Sequence, residues 1–171
     1  MKKKTSKLPA EKKIFRDICS LIETTRQKVA QSVNTELVIL YWAIGQRIKE
    51  NILNSKRAEY GQKIVHALSA QLIAEYGRGY TARNLFNMIK FFEVFPDKDK
   101  VHALSRQLSW THLRQIIYID DPLKRDFYME MCRIERWSTR TLDNKINGML
   151  YERTALSKKP EKLIKQELKG L

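Results

Sequence analysis

Tyr80-Thr81-Ala82-Arg83-Asn84-Leu85-Phe86-Asn87-Met88-Ile89 is echoed further along the chain by Trp137-Ser138-Thr139-Arg140-Thr141-Leu142-Asp143-Asn144-Lys145-Ile146. Each copy opens with an aromatic residue and then a hydroxyl residue able to cap a helix start. Arg and Asn follow four residues apart, as do Leu and Ile, and positions i and i+4 are neighbours on a helix. The pattern predicts a helix with an Arg/Asn face turned outward and an aliphatic ridge turned inward. A helical segment precedes each copy, so each reads as the second helix of a helix-turn-helix. Ser109-Trp110-Thr111-His112-Leu113-Arg114 is a third, partial echo that keeps the hydroxyl-aromatic start but not the Arg/Leu/Asn spacing.

Outward from these copies the chain reads as all-α, a helical bundle with a long amphipathic N-terminal helix and tandem, winged-helix-like helix-turn-helix units at about 62–95 and 122–151. Residues 1–9 read as a disordered basic tail, with Pro9 suited to a first helical turn. From Ile14 to Ile52 apolar residues recur every three or four positions, giving one long helix or two with a break near Asn34. Asn54-Ser55 and Tyr60-Gly61 bracket a predicted loop before a helix over 62–76, stopped at Gly77-Arg78-Gly79. Thr81 caps a helix to about Val94, and residues 97–107 read as a loop with a short turn. Ser109 starts a helix to about Ile119; Asp120-Asp121-Pro122 breaks it and caps the next, over 122–135. Ser138 caps a helix to about Tyr151. After a loop around Thr154, a basic helix over 157–169 forms a tail (156–171) beyond the domain proper, 10–155. Within Tyr41-Trp42-Ala43-Ile44-Gly45, the small pair Ala43 and Gly45 would let another helix approach closely. Tyr41, Trp42, Trp110 and Trp137 read as core aromatics.

The 171 residues are 43% hydrophobic and 30% charged, the balance of a globular protein and not a disordered one. Net charge is +14, but residues 1–13 carry +5 of it and residues 153–171 another +4, so the body at 14–152 holds only +5. The basic total is therefore weak support for nucleic-acid binding, and the body must supply the argument. Cys19 and Cys132 lack a CxxC spacing or a paired His and read as buried, reduced thiols of a cytoplasmic protein. The longest apolar run, Leu37 to Gly45, is far too short to span a bilayer. His66, His102 and His112 show no ligand-like spacing, so neither metal nor cofactor is expected.

No acidic residue occurs between Glu75 and Glu93, which makes the first copy the cleanest positive stretch of the body. Arg83, Asn84 and Asn87 suit base edges there, since Arg can read guanine and Asn adenine, while Arg78 and Lys90 suit phosphates. Arg136, Arg140 and Asn144 form the corresponding set of the second copy, diluted by Glu135 and Asp143. A solvated face with internal salt bridges is the competing reading of both. Pro96-Asp97 and Asp143-Asn144-Lys145 match, as letters, the carboxylates and lysine of a metal-dependent nuclease. Those groups must converge from adjacent strands, whereas here they fall at a helix end and inside a helical pattern, so no catalytic residue is assigned.

Val33-Asn34-Thr35-Glu36-Leu37, Tyr41-Trp42-Ala43-Ile44-Gly45, Leu68-Ser69 through Tyr76-Gly77-Arg78-Gly79-Tyr80-Thr81-Ala82-Arg83-Asn84-Leu85, Leu108-Ser109-Trp110-Thr111-His112 and Trp137-Ser138-Thr139-Arg140-Thr141-Leu142 form an ordered set. The set, spanning about residues 14–155, resembles the N-terminal domain of the bacterial YhcG-type proteins. The resemblance implies a helical, winged-helix-like DNA-binding module that normally precedes a restriction-endonuclease-like nuclease domain, with a role in DNA recombination or repair. It carries over no DNA-contacting residues. On this reading the chain ends where the nuclease domain would begin, so it targets DNA without cutting it and works with a nuclease domain in cis or in trans. The alternative, from another class, is a helical protein-interaction or dimerisation module that uses the stripe from Ile14 to Ile52 and does not touch nucleic acid.

Overall fold

The apolar spacing of the N-terminal region folds as one unbroken helix, α1 (Pro9–Ile48), with no break at Asn34 and with Pro9 at its first position. The computed structural model describes residues 9–53 and 58–157, and among the described residues there is no β-strand. After a π-helical turn (Lys49–Leu53) the order is α2 (Ala58–Tyr76), a 3-10 turn (Arg78–Tyr80), α3 (Ala82–Val94), α4 (Lys98–Ser105), α5 (Trp110–Ile116), α6 (Pro122–Glu135), α7 (Thr139–Asn147) and α8 (Leu150–Leu156). The all-α bundle is thus as read from the sequence. The loop at Asn54-Ser55, the tail before Pro9 and the basic helix expected over 157–169 lie almost wholly outside the described residues.

Four boundaries differ from the sequence reading. Tyr60 and Gly61 sit inside α2 because Gly61 is buried there, and packing outweighs its poor helix propensity. Asp97 accepts hydrogen bonds from the backbone N–H groups of Asp99 and Lys100, starting α4 where a loop was expected, and the buried Val101 anchors it. The helix begun at Ser138 stops at Asn147, because Met149 adopts a left-handed conformation (φ 53°) that redirects the chain into α8. Thr154, expected in a loop, is buried in α8 with its hydroxyl donating to Leu150 O at 2.8 Å.

The C-terminal half of α1 lies along α3, and Gly45 is the reason it can. A Cβ on Gly45 would fall 2.0 Å from Met88 O and 2.5 Å from Met88 C. Only glycine allows this approach. Ala43, the other half of the predicted small pair, is exposed. Trp42 fixes the far end by donating its indole N–H to Phe95 O at 2.7 Å. Upstream, α1 satisfies carbonyls left open by the α4–α5 corner. Gln31 donates to Arg106 O, Thr35 to Ser105 O, and Asn34 to both Ser105 O and Leu108 O. Tyr41, Trp42, Trp110 and Trp137 are all buried, as expected of core aromatics. On the opposite side of the bundle Lys124 Nζ meets Glu152 Oε1 at 2.5 Å, tying α6 to α8. That hydrogen bond holds the Glu152 carboxyl below its ordinary range and raises the lysine.

Cys132 is buried, and burial pushes its thiol up to about 12, whereas Cys19 on α1 is only half-buried. The thiolate is the reactive form. Alkylation of the folded protein near pH 8 is expected to modify Cys19 alone, with Cys132 reacting only after denaturation. Peptide mass mapping before and after denaturant checks this, and early labelling of Cys132 would contradict the burial.

Candidate nucleic-acid interface

Three short helices begin in the same way. Thr81, Ser109 and Ser138 each cap a helix by accepting the backbone N–H three residues on, at Asn84, His112 and Thr141. Four residues after each cap comes a leucine, Leu85, Leu113 or Leu142, and all three have no solvent exposure. The Ser109 echo therefore keeps more of the pattern than its letters suggest: the leucine survives, while the aromatic before the cap, the Arg and the Asn become Leu108, Thr111 and Gln115. α5 packs against both α3 and α7, so the partial echo stands between the two full copies.

The contacts that hold these helices together use several residues expected to face DNA. The Asn84 side chain donates to Gly79 O at 2.6 Å and accepts the Trp110 indole N–H at 3.0 Å. Asn87 is buried, 5% exposed, and its Oδ1 accepts the Tyr118 hydroxyl at 2.7 Å. Both asparagines thus join α3 to α5 and its end, with both amides engaged by partners within the chain. The i, i+4 spacing places Asn87 near Arg83, but docking of α5 covers that part of the helix. Across the other side of α5, Gln115 donates to Thr139 O at 3.2 Å. His112 links the start of α5 to the α6–α7 turn: Nδ1 lies 2.7 Å from Ser109 Oγ, and Nε2 lies 2.9 Å from Trp137 O. Nε2 must carry the hydrogen, because a carbonyl only accepts.

What remains outward is a set of arginines. Arg83, Asn87, Thr111, Arg114, Gln115 and Tyr118 line a cleft of about 130 Å³ between α3 and α5. Arg83 and Arg114 are exposed, and so is Arg140, which follows the Thr139 whose carbonyl Gln115 holds. Gln115 Oε1 is buried without a hydrogen-bond partner among the described residues. The segments that build this region, 76–92, 100–119 and 136–142, contain eight basic residues and no acidic one. The second stretch free of acidic residues, Lys100 to Ile119, is the sequence signal that would have added Arg114 to the candidates.

The remaining candidates are spread more widely. Arg78 is exposed on the 3-10 turn before α3, Lys90 is half-buried two turns beyond Arg83 on the same face of α3, and Asn144 is exposed on α7. Arg136 closes α6 in a left-handed conformation (φ 50°) and, with Arg106, Arg133 and Gln107, lines a separate cleft of about 580 Å³ between α1 and α6. Arg133 is already engaged by Glu130. The nuclease-like letters do not assemble: Asp97 is the cap of α4, Asp143 accepts from Asn147 on α7, and no group of three or more potential metal ligands occurs among the described residues. No helix among the described residues is long and apolar enough to cross a membrane.

Comparison with known proteins places this arrangement. YhcG of Escherichia coli (strain K12), provisionally named a nuclease, is 26% identical over 182 aligned residues, covering 87% of this chain and 48% of the relative. The chain thus spans about half the length of the curated relative it matches. No solved structure gives a significant match. The family described as the DUF1016 N-terminal domain matches residues 17–153, from within α1 to within α8 and so across all three capped helices. The chain belongs to that family.

Proposed function

We propose that this domain is a DNA-binding module that delivers a YhcG-type nuclease to its substrate in the cytoplasm, with α3 and α7 acting as the second helices of two helix-turn-helix units. The observation that carries the reading is the exposure of Arg83, Arg114 and Arg140 in segments 76–92, 100–119 and 136–142, which hold no acidic residue, the carboxylates of α3 and α7 lying beyond them at Glu93 and Asp143. Such a surface, in which basic residues outnumber carboxylates, attracts phosphates. Arg78 and Lys90 extend it along α3. Asn144 extends it along α7, and Arg136, in the separate cleft beside α1 and α6, offers a second contact. Asn84 and Asn87 serve as positioning residues, because their amides hold α5 and Tyr118 against α3. Cleavage belongs to a nuclease domain in cis or in trans, and recombination or repair is the setting the family resemblance suggests.

Fluorescence anisotropy of a labelled duplex tests this. Binding is expected at low salt, with log K falling against log salt at a slope of about −3 to −5, as for three to five neutralised phosphates. A chain that leaves the duplex free at low salt would sink the proposal. The second reading, a helical dimerisation module, draws on the exposed apolar residues of α1, whose location is independent of the arginine set.

A further inference from the structure

α1 carries two apolar stripes on different sides. Its C-terminal half packs on the body through Val38, Tyr41, Trp42, Gly45 and Ile48. Its N-terminal half, from Lys12 to Val33, is exposed throughout except for the half-buried Cys19. Ile14, Ile18, Leu21, Ile22, Val29 and Val33 are among its exposed large apolar residues, at 45–68% exposure. At ~100° per residue, Val29 lies about half a turn round from Val38, so this second stripe faces away from the body that covers the first. A helix takes most of its stability from packing an amphipathic face, and among the described residues no other element covers the apolar stripe of this arm, several turns long.

We infer that the arm pairs with the same arm of a second copy, side by side and antiparallel. Positions 14, 18, 22, 25, 29 and 33 are spaced 4, 4, 3, 4 and 4, a series that reads the same from either end. An antiparallel copy therefore sets Ile14 against Val33, Ile18 against Val29 and Ile22 against Thr25, twice over, as a two-fold interface requires. Charge agrees with this direction. Asp17 and Lys28 are three turns apart and so lie on one flank of the stripe, with Arg26 on the other. Antiparallel helices bring like flanks together, placing Asp17 of each copy near Lys28 of its partner. A parallel copy would set Lys28 beside the partner's Arg26 flank. None of these residues belongs to the arginine set, so the pairing stands or falls apart from DNA binding.

Sedimentation equilibrium of the whole chain is expected to show a dimer at micromolar concentration. Ile18→Glu with Val29→Glu should weaken it ~100-fold or more, since carboxylates would have to be buried. Circular dichroism should show the body still folded, both sites being exposed in the single chain. In a Cys19→Ser background, Ile14→Cys with Val33→Cys should form intermolecular disulfides on mild oxidation. Ile14→Cys alone should not, because antiparallel partners hold those positions ~28 Å apart, far beyond the ~7 Å a disulfide spans. Four results would overturn the inference: a monomer in the unmodified chain, a dimer insensitive to the glutamates, cross-linking of the single cysteine variant, or no cross-link in the double one.

Discussion

Gly45→Ala is expected to destabilise this protein by ~3 kcal/mol or more, against a local propensity that favours the change. In an isolated helix alanine is better than glycine by about 1 kcal/mol, so a reading of α1 alone gives the wrong sign. The added methyl would sit 2.0 Å from Met88 O and 2.5 Å from Met88 C, both backbone atoms of α3. A flexible side chain could swing aside, but two helix backbones must separate. That separation would loosen Leu85, Met88 and Phe91, which are fully buried. At about 2–4 °C per kcal/mol for a chain of this size, thermal denaturation should shift down by roughly 6–12 °C. Gly79→Ala is the control: its Cβ would meet only the Tyr41 hydroxyl, at 3.8 Å, an ordinary contact. An unchanged or raised melting temperature for Gly45→Ala would contradict the α1–α3 packing.

The combined replacement of Arg83, Arg114 and Arg140 by alanine is expected to weaken duplex binding ~100-fold at low salt, at roughly 1 kcal/mol for each phosphate contact. The salt dependence should flatten at the same time, because fewer counterions are released. All three side chains are exposed, so the melting temperature should hold within the small range typical of surface changes. Asn87→Ala separates positioning from contact. It leaves the Tyr118 hydroxyl without its partner and should cost about 1 kcal/mol of stability while leaving the salt slope intact. Full-strength binding by the triple variant would remove the arginine set as the site, even if the chain still bound DNA elsewhere.

Much of this architecture was legible in the residues. Thr81, Ser109 and Ser138 announce helix starts because the signal is local: a hydroxyl meeting an N–H three residues on. Asp121-Pro122 opens α6 and Glu135 ends it, matching the bounds read from the sequence. The outward set was only half legible. Periodicity put Arg83 and Asn87 together, but it could not say which neighbour would dock on that side of α3. Tyr118, far along the chain, claims the Asn87 amide, and Trp110 claims Asn84. Arg114 was overlooked because it belongs to the echo whose Arg/Leu/Asn spacing is lost.

Helices, their caps, the inward leucines and the family could all be had from the residues, since each depends on near neighbours or on an ordered set of short motifs. Which polar residues face outward was a matter for the assembled bundle. Folding closed α1 onto α3 at Gly45, inserted α5 between the two repeats, engaged both asparagine amides within the bundle, and left one stripe of α1 uncovered among the described residues. A helix presents several faces at once, and which of them meets solvent depends on neighbours that arrive from far along the chain.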